Sequence, residues 1–294
     1  MKAVKEQAYA KINLHLECRA RREDGFHDIR TVMYSLSLAD EITVTLHSTD
    51  KKSIRLTLGE GVRLPQDRRN LVYLAAELFL ERMAIRADIS IKLEKHIPVA
   101  AGLGGGSADA AATLRALNRL FGRPSTERML LSMAAELGSD VPFCLLGGAA
   151  LCEGRGERIT RLSTAARLHT VVAVSDEHIS TPAAYAALDA AYSDFDGSVP
   201  FIKDEEYGRL MAYLSGEGEL PHGLYNVFES VILPTCPGAS AIRSQLFSLG
   251  AKAALMSGSG PSVFGIFESE AEALAARDAL ISSGYRAFYA FGIN

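Results

Sequence analysis

Pro98-Val99-Ala100-Ala101-Gly102-Leu103-Gly104-Gly105-Gly106-Ser107-Ala108-Asp109 is the stretch on which the reading of this chain turns. It lies between a β-branched segment at 88–93 and an alanine-rich segment at 107–121, so a strand, a glycine loop and a helix are expected in that order. Glycines allow left-handed backbone and let peptide N–H groups approach an anion closely. The helix N-terminus beyond adds its unpaired amides and the positive end of its dipole. A run of linked phosphates fits that cradle. A loop ending in Gly-Lys-Ser/Thr would need a lysine, and none is present. A dinucleotide fingerprint would want a glycine where Ser107 stands and a βαβ unit around it. The plain alternative is a flexible turn with Ser107 as an ordinary helix cap.

Working outward, residues 9–16 alternate, with Ala10, Ile12, Leu14 and Leu16 on one face and Tyr9, Lys11, Asn13 and His15 on the other. Strands are also expected at 30–38, 41–47 and 53–58. A helix is predicted over 70–83. A second, over 107–121, carries Ala110, Leu114, Leu117 and Phe121 on one side and stops at Gly122 and Pro124; a third covers 126–137. A second block opens near 160. It holds a strand at 170–174, helices from Thr181 and around 205–215, helix 239–249, strands 252–256 and 262–267, helix 270–282 and a last strand near 285–291. Strands and helices in this order point to α+β layers.

The chain has 294 residues, 48% of them hydrophobic, which is enough for one large domain or two modest ones. A formal net charge of -4, with interspersed signs, argues against a nucleic-acid partner, which would want a basic stripe. Cysteines 18, 144, 152 and 236 form no CxxC pair and no metal-ligand spacing, so thiols in a reducing compartment are expected. The N-terminal residues show no apolar leader, and the run from Val141 to Cys152 is too short to span a bilayer. No membrane association and a cytoplasmic location are the expectations.

The loop resembles the phosphate-binding loop of the GHMP kinases, and its run GLGGGSADAA is similar to the form found in their diphosphocytidyl-methylerythritol kinase branch. Further motifs extend the resemblance over nearly the whole chain. They are Ala8-Tyr9-Ala10-Lys11-Ile12-Asn13-Leu14, Gly138-Ser139-Asp140-Val141-Pro142-Phe143, Glu153-Gly154-Arg155-Gly156-Glu157 and Leu255-Met256-Ser257-Gly258-Ser259-Gly260-Pro261-Ser262. Asp24-Gly25-Phe26-His27 resembles the segment with which that branch recognises a pyrimidine, with phenylalanine where the family frequently has tyrosine.

The resemblance implies a two-domain α+β fold: a ribosomal-protein-like N-terminal α/β domain, 1–160, and a ferredoxin-like C-terminal α+β domain, 161–294. It implies ATP with Mg²⁺, and a small-molecule cytidine diphosphate alcohol phosphorylated on the 2-hydroxyl of its methylerythritol unit, a step of non-mevalonate isoprenoid biosynthesis. Monomer and homodimer both stay open. By resemblance Asp140 is the general base, Lys11 orients and polarises, and residues 98–108 bind the ATP phosphates with Asn70 on the nucleotide side. Asn13, Phe26, His27 and Tyr185 contact the substrate, and Ser107 is placed to touch the metal. Some relatives add a glutamate metal ligand for which no position stands out.

Each residue also has a bland reading. Lys11 could lie on a solvated strand face. Asp140 could cap a helix or close a turn. His27 could be an exposed-turn histidine, Tyr185 a core ring after the Thr181-Pro182 helix start, and Asn70 a cap for the helix it precedes. At the level of function the rivals are another GHMP kinase acting on homoserine or mevalonate, a non-catalytic module sharing the N-terminal fold, and a dinucleotide oxidoreductase.

Overall fold

Alternating apolar segments pair into strands before the first helix is reached. The computed structural model describes residues 2–192, 204–221 and 224–294. In chain order it begins with β1 (Lys2–Arg21), β2 (His27–Ser48), β3 (Ser53–Leu58), α1 (Leu71–Arg82) and β4 (Asp88–Glu94). Next come α2 (Gly105–Leu120), α3 (Glu127–Leu137), α4 (Val141–Leu146), β5 (Ala149–Gly154) and β6 (Arg158–Leu162). Then follow β7 (His169–Val174), α5 (Thr181–Ala191), α6 (Asp204–Leu214), β8 (Tyr225–Asn226) and α7 (Glu229–Ile232). The last elements are α8 (Pro237–Ser248), β9 (Ala253–Met256), β10 (Val263–Phe267), α9 (Glu270–Ser282) and β11 (Arg286–Phe291).

The chain forms two units. The first comprises residues 1–10, 39–99 and 104–147. Within it β3 runs parallel to β4, with Ser53 opposite Asp88 and Leu58 opposite Leu93. β4 in turn pairs antiparallel with the second half of β2, Glu41 facing Glu94. The inward residues Val44, Ile89 and Ile91 of these strands share a core with Phe79 of α1 and with Ala111, Leu114 and Leu117 of α2. Each such aliphatic or aromatic side chain removed from water stabilises the unit by roughly 1.5–3 kcal/mol. Asn70 and Thr126 fix the starts of α1 and α3 by accepting from Val72 N and Met129 N.

The second unit comprises residues 11–38, 100–103 and 148–294. Here the first half of β2 pairs antiparallel with β5, from Ile29 opposite Gly154 to Tyr34 opposite Ala149, and β5 pairs with β6. β1 meets β8 in parallel at His15 and Leu16. Strands β11, β7, β10 and β9, in that order, form a four-stranded sheet whose pairings are all antiparallel. Val171 and Ala173 of β7 and Phe267 of β10 share a core with Ile242 and Leu246 of α8 and with Ala276 and Leu280 of α9.

The architecture is α+β, as the order of elements implied. It departs from the sequence reading at named places. The strands expected at 30–38 and 41–47 are one continuous β2, in which Asp40 is fully buried. Aspartate is depleted in strands and reads as a break, but here its carboxylate is used inside the fold. Helix α2 begins at Gly105 rather than 107. The elements α4, β5, β6, β8 and α7 have no counterpart in the sequence reading; α4, β8 and α7 carry too few residues to show a period. Among the described residues no helix is long and apolar enough to cross a membrane.

Candidate active site

The glycine-rich loop is fixed first through its carbonyl oxygens. Ala101 O accepts from the Ser262 hydroxyl, Gly102 O accepts from Ser257 Oγ at 3.0 Å, and Leu103 O accepts from Lys11 N at 3.0 Å. Gly102 has φ +75°, and a Cβ placed on it would lie 2.2 Å from the Ser257 carbonyl oxygen. The position therefore has no room for any side chain. The serine-bearing segment is itself secured from β8. Asn226 Nδ2 donates to Met256 O and Gly258 O, both at 2.8 Å, while its Oδ1 accepts from Phe228 N at 3.0 Å. The Glu229 carboxylate accepts from Met256 N at 2.8 Å. Burial pushes the Glu229 carboxyl up from its ordinary value, opposed by that backbone bond and by Arg243.

Lys11 and Asn13 project from β1 in this same unit, and they are 4% and 2% exposed. The solvated-face reading therefore does not hold. Lys11 Nζ donates to Asn13 Oδ1 at 2.8 Å, Asn13 Nδ2 donates to Thr31 Oγ1 at 2.8 Å, and Thr31 Oγ1 donates to His15 O at 2.6 Å. Gly258, at φ +56°, brings its backbone against the pair: a Cβ there would stand 3.3 Å from Lys11 Nζ and 3.6 Å from Asn13 Oδ1. An ammonium with an aligned amide, both withdrawn from bulk water, is an arrangement that can hold an oxyanion or an alcohol in one place.

The other half of the loop leads into α2. Gly104, in the left-handed region at φ 68°, takes the N-cap position without a side-chain hydrogen bond. Ser107 thus stands inside the first turn and is not the cap. Beneath this turn lies a buried charge cluster. Lys95 Nζ is paired with Asp40 and, at 2.8 Å, with Asp109 Oδ2. The second Asp40 oxygen accepts from His96 N at 2.5 Å and Ile97 N at 2.8 Å. A Cβ on Gly105 would come 3.2 Å from Lys95 Nζ. Burial pushes the Asp109 carboxyl up to about 7, Lys95 pulling it down and Asp40 pushing it further up. Asp109 Oδ1 is buried and has no hydrogen-bond partner among the described residues.

Asn70 uses both ends of its side chain locally, Oδ1 accepting from Val72 N at 3.0 Å and Nδ2 donating to Pro65 O at 2.9 Å. The neighbouring Leu71 packs 3.8 Å from where a Gly106 Cβ would be, so the start of α1 adjoins the loop. Asp140 stands at the N-cap of α4, but its side chain makes no capping bond. Its capping interpretation does not apply.

A third group, in the second unit, gathers His27 and Tyr185. Their rings stack at 5.0 Å and 22°, and Tyr185 meets Phe228 edge-on at 4.9 Å. Phe26 is 51% exposed with the Arg155 guanidinium 4.9 Å from its ring centroid. His27 Nε2 lies 2.7 Å from Asp189 Oδ1.

Sequence reasoning missed Lys95, Asp40, Asn226 and Asp189. A lysine was sought inside the loop, whereas the one that reaches it comes from the end of the preceding strand. Asp189 has a local signal that could have found it, four residues beyond Tyr185 on one helix. Asn226 has none.

Comparisons with known proteins show which family has this fold. The model of the GHMP kinases N terminal domain matches residues 70–148, and that of the GHMP kinases C terminal domain matches residues 203–287. A 4-diphosphocytidyl-2-C-methyl-D-erythritol kinase of Caldicellulosiruptor saccharolyticus is 39% identical over 277 residues, 93% of this chain and 91% of the relative. The Bacillus subtilis protein of the same name is 40% identical over 270 residues, 91% and 89% of the two chains. The chain belongs to the 4-diphosphocytidyl-2-C-methyl-D-erythritol kinase family. A crystal structure of a 4-(cytidine 5'-diphospho)-2C-methyl-D-erythritol kinase matches it with a TM-score of 0.82 at 36% identity, over 99% of this chain and 100% of that one. Homoserine kinase from Cytophaga hutchinsonii, at 22% identity and a TM-score of 0.71, shares the fold alone. Membership of this kinase family removes the dinucleotide and non-catalytic readings.

Proposed function

We propose that the chain transfers the γ-phosphoryl group of ATP to the 2-hydroxyl of 4-diphosphocytidyl-2-C-methyl-D-erythritol, a step of non-mevalonate isoprenoid biosynthesis. The observation that carries the reading is the buried Lys11–Asn13–Thr31 ladder, pressed by Gly258 in the unit that also fixes the loop carbonyls of residues 101–103. A strand places an ammonium and an amide out of water without need of them for its core, which is the mark of a built site. The names of the relatives supply the substrate.

In the step, the acceptor oxygen attacks the γ-phosphorus, the bond to the bridging oxygen breaks, and ADP leaves with that electron pair. The hydroxyl proton goes to the Asp140 carboxylate, and Lys11 orients and polarises the acceptor. Backbone N–H groups of residues 98–108 and the α2 terminus take the ATP phosphates, with Asn70 on the nucleotide side. Asn13 contacts the substrate, and Phe26, His27 and Tyr185 hold its cytosine. Among the described residues no group of three or more His, Cys, Asp or Glu is arranged to hold a metal. Magnesium accompanying ATP would be held chiefly by phosphate oxygens and water, with the Ser107 hydroxyl as the protein's contribution. The two family matches, residues 70–148 and 203–287, fall on either side of residue 160, while the compact units interleave along the chain.

A coupled assay of ADP release with the cytidine diphosphate substrate, homoserine and mevalonate tests the reading, with turnover expected on the first alone. Asp140→Ala should lower kcat by about 10²–10⁴-fold, with ATP binding by calorimetry retained. Unchanged turnover would remove Asp140 from the mechanism.

A further inference from the structure

We infer that Asp189 is the residue that sets the proton of His27, and that through it Asp189 determines the preference for cytosine over uracil. The inference rests on the reading of Phe26, His27 and Tyr185 as the base site and deepens it. Its starting point is the 2.7 Å contact between His27 Nε2 and Asp189 Oδ1. The imidazole is 4% exposed and the carboxylate 30%. An ionised carboxylate can only accept, so the nitrogen facing it carries the hydrogen. In the neutral ring this makes Nδ1 the accepting nitrogen.

The contact is built by the helix rather than met by chance. Tyr185 and Asp189 stand four residues apart on α5, hence on one face. One helix thus offers His27 a stacking ring at 5.0 Å and a carboxylate at 2.7 Å. The start of that helix is itself pinned. Ser180 Oγ accepts from Ala183 N at 3.3 Å, and Thr181 Oγ1 lies 3.0 Å from Ser259 Oγ. Phe228 packs edge-on against Tyr185 at 4.9 Å. The imidazole is therefore fixed in plane by Tyr185 and in rotation by Asp189.

The consequence for the base follows from donor and acceptor chemistry. Cytosine carries an amino group where uracil carries a carbonyl. An accepting nitrogen pairs with the amino hydrogens and repels the carbonyl lone pairs. Asp189 touches no reacting atom; it is a positioning residue that chooses which of the two nitrogens accepts.

Two measurements decide. The first needs no substrate: long-range ¹H–¹⁵N NMR of the ligand-free protein, with His27→Gln used for assignment, should show the Nε2–H tautomer of His27. Asp189→Ala should lose that single form, and Asp189→Glu should restore it in part. A wild-type ring protonated at Nδ1 would overturn the inference. The second compares the cytidine and uridine diphosphate forms of the substrate. Asp189→Ala should raise KM for the cytidine form about tenfold, the worth of one hydrogen bond, with kcat and the KM for ATP within about twofold of wild type. The KM for the uridine form should change far less. An equal rise for both bases would mean that Asp189 only supports α5, and would overturn the inference. Asp189→Asn, which keeps the shape of the side chain, covers the case in which alanine unfolds the helix. Should the wild type not turn over the cytidine form at all, the proposed function fails, and the tautomer measurement still decides the Asp189–His27 pairing.

Discussion

The two halves of the glycine-rich loop are held by opposite means. Residues 101–103 are fixed by neutral donors to their carbonyls, and two of those donors, Ser257 and Ser262, lie 155 and 161 residues further along the chain. From Gly104 onward the support is ionic and nearer in sequence, with Lys95 and Asp109 separated by 14 residues and Asp40 lying 55 residues before Lys95. In the first half nothing but backbone fits, because the Ser257 carbonyl occupies the space where a side chain would grow. In the second half the neighbours of a Cβ on Gly105 are side-chain atoms, the Ile97 methyl and the flexible end of Lys95. The first arrangement satisfies loop carbonyls, and the second neutralises buried carboxylates beside the start of α2. Rigidity comes from one half and charge balance from the other.

Substitutions can break this contrast, and the largest effect is expected at Gly102. Gly102→Ala sets a Cβ 2.2 Å from a backbone oxygen at φ +75°, so the loop has to be rebuilt. A loss above about 100-fold in kcat/KM for ATP and a destabilisation of about 3 kcal/mol or more are expected, read by steady-state kinetics and thermal unfolding. Lys95→Met comes next. It leaves Asp40 and Asp109 buried without their cation, at a cost of about 3–5 kcal/mol, and a denaturant melt within about 0.5 kcal/mol of wild type, the range typical of substitutions at the surface, would show that the cluster does not support the fold. Ser257→Ala removes one donor from Gly102 O, expected at about 1–3 kcal/mol with a raised KM for ATP. Gly105→Ala should do least. The helix gains roughly 0.8–1 kcal/mol of propensity while Lys95 Nζ and the Ile97 methyl, 3.2 and 3.1 Å from the new Cβ, move aside. An effect as large as that at Gly102 would erase the distinction between the halves.

The parts of the site that were legible in the sequence are those written locally. The loop announced itself by composition, and Lys11 and Asn13 by the alternation of one strand. That alternation placed them on a common face but could not say that the face is buried, because burial is decided by what Gly258 and Leu103 do elsewhere in the chain. Asp40 falls in the gap between the strands expected at 30–38 and 41–47, because aspartate is depleted in strands; only the fold reveals that its two oxygens receive Lys95, His96 N and Ile97 N. Ser107 is the helix-cap type by statistics, yet Gly104 takes that position through its left-handed backbone. Local preference gave way wherever a distant partner supplied the missing hydrogen bond.

The long separation between the loop and its serine donors also orders events during synthesis. Chains emerge N-terminus first, and contacts between distant segments form late. A nascent chain can complete β4 and α2 with their charge cluster while Ser257 and Ser262 are still untranslated. Ala101 and Gly102 then wait for β9 and β10 before their carbonyls are satisfied. The fixed shape of residues 101 and 102 is thereby deferred until nearly the whole polypeptide exists, and a truncated product ending before Ser257 would carry the glycine motif without the donors that hold it.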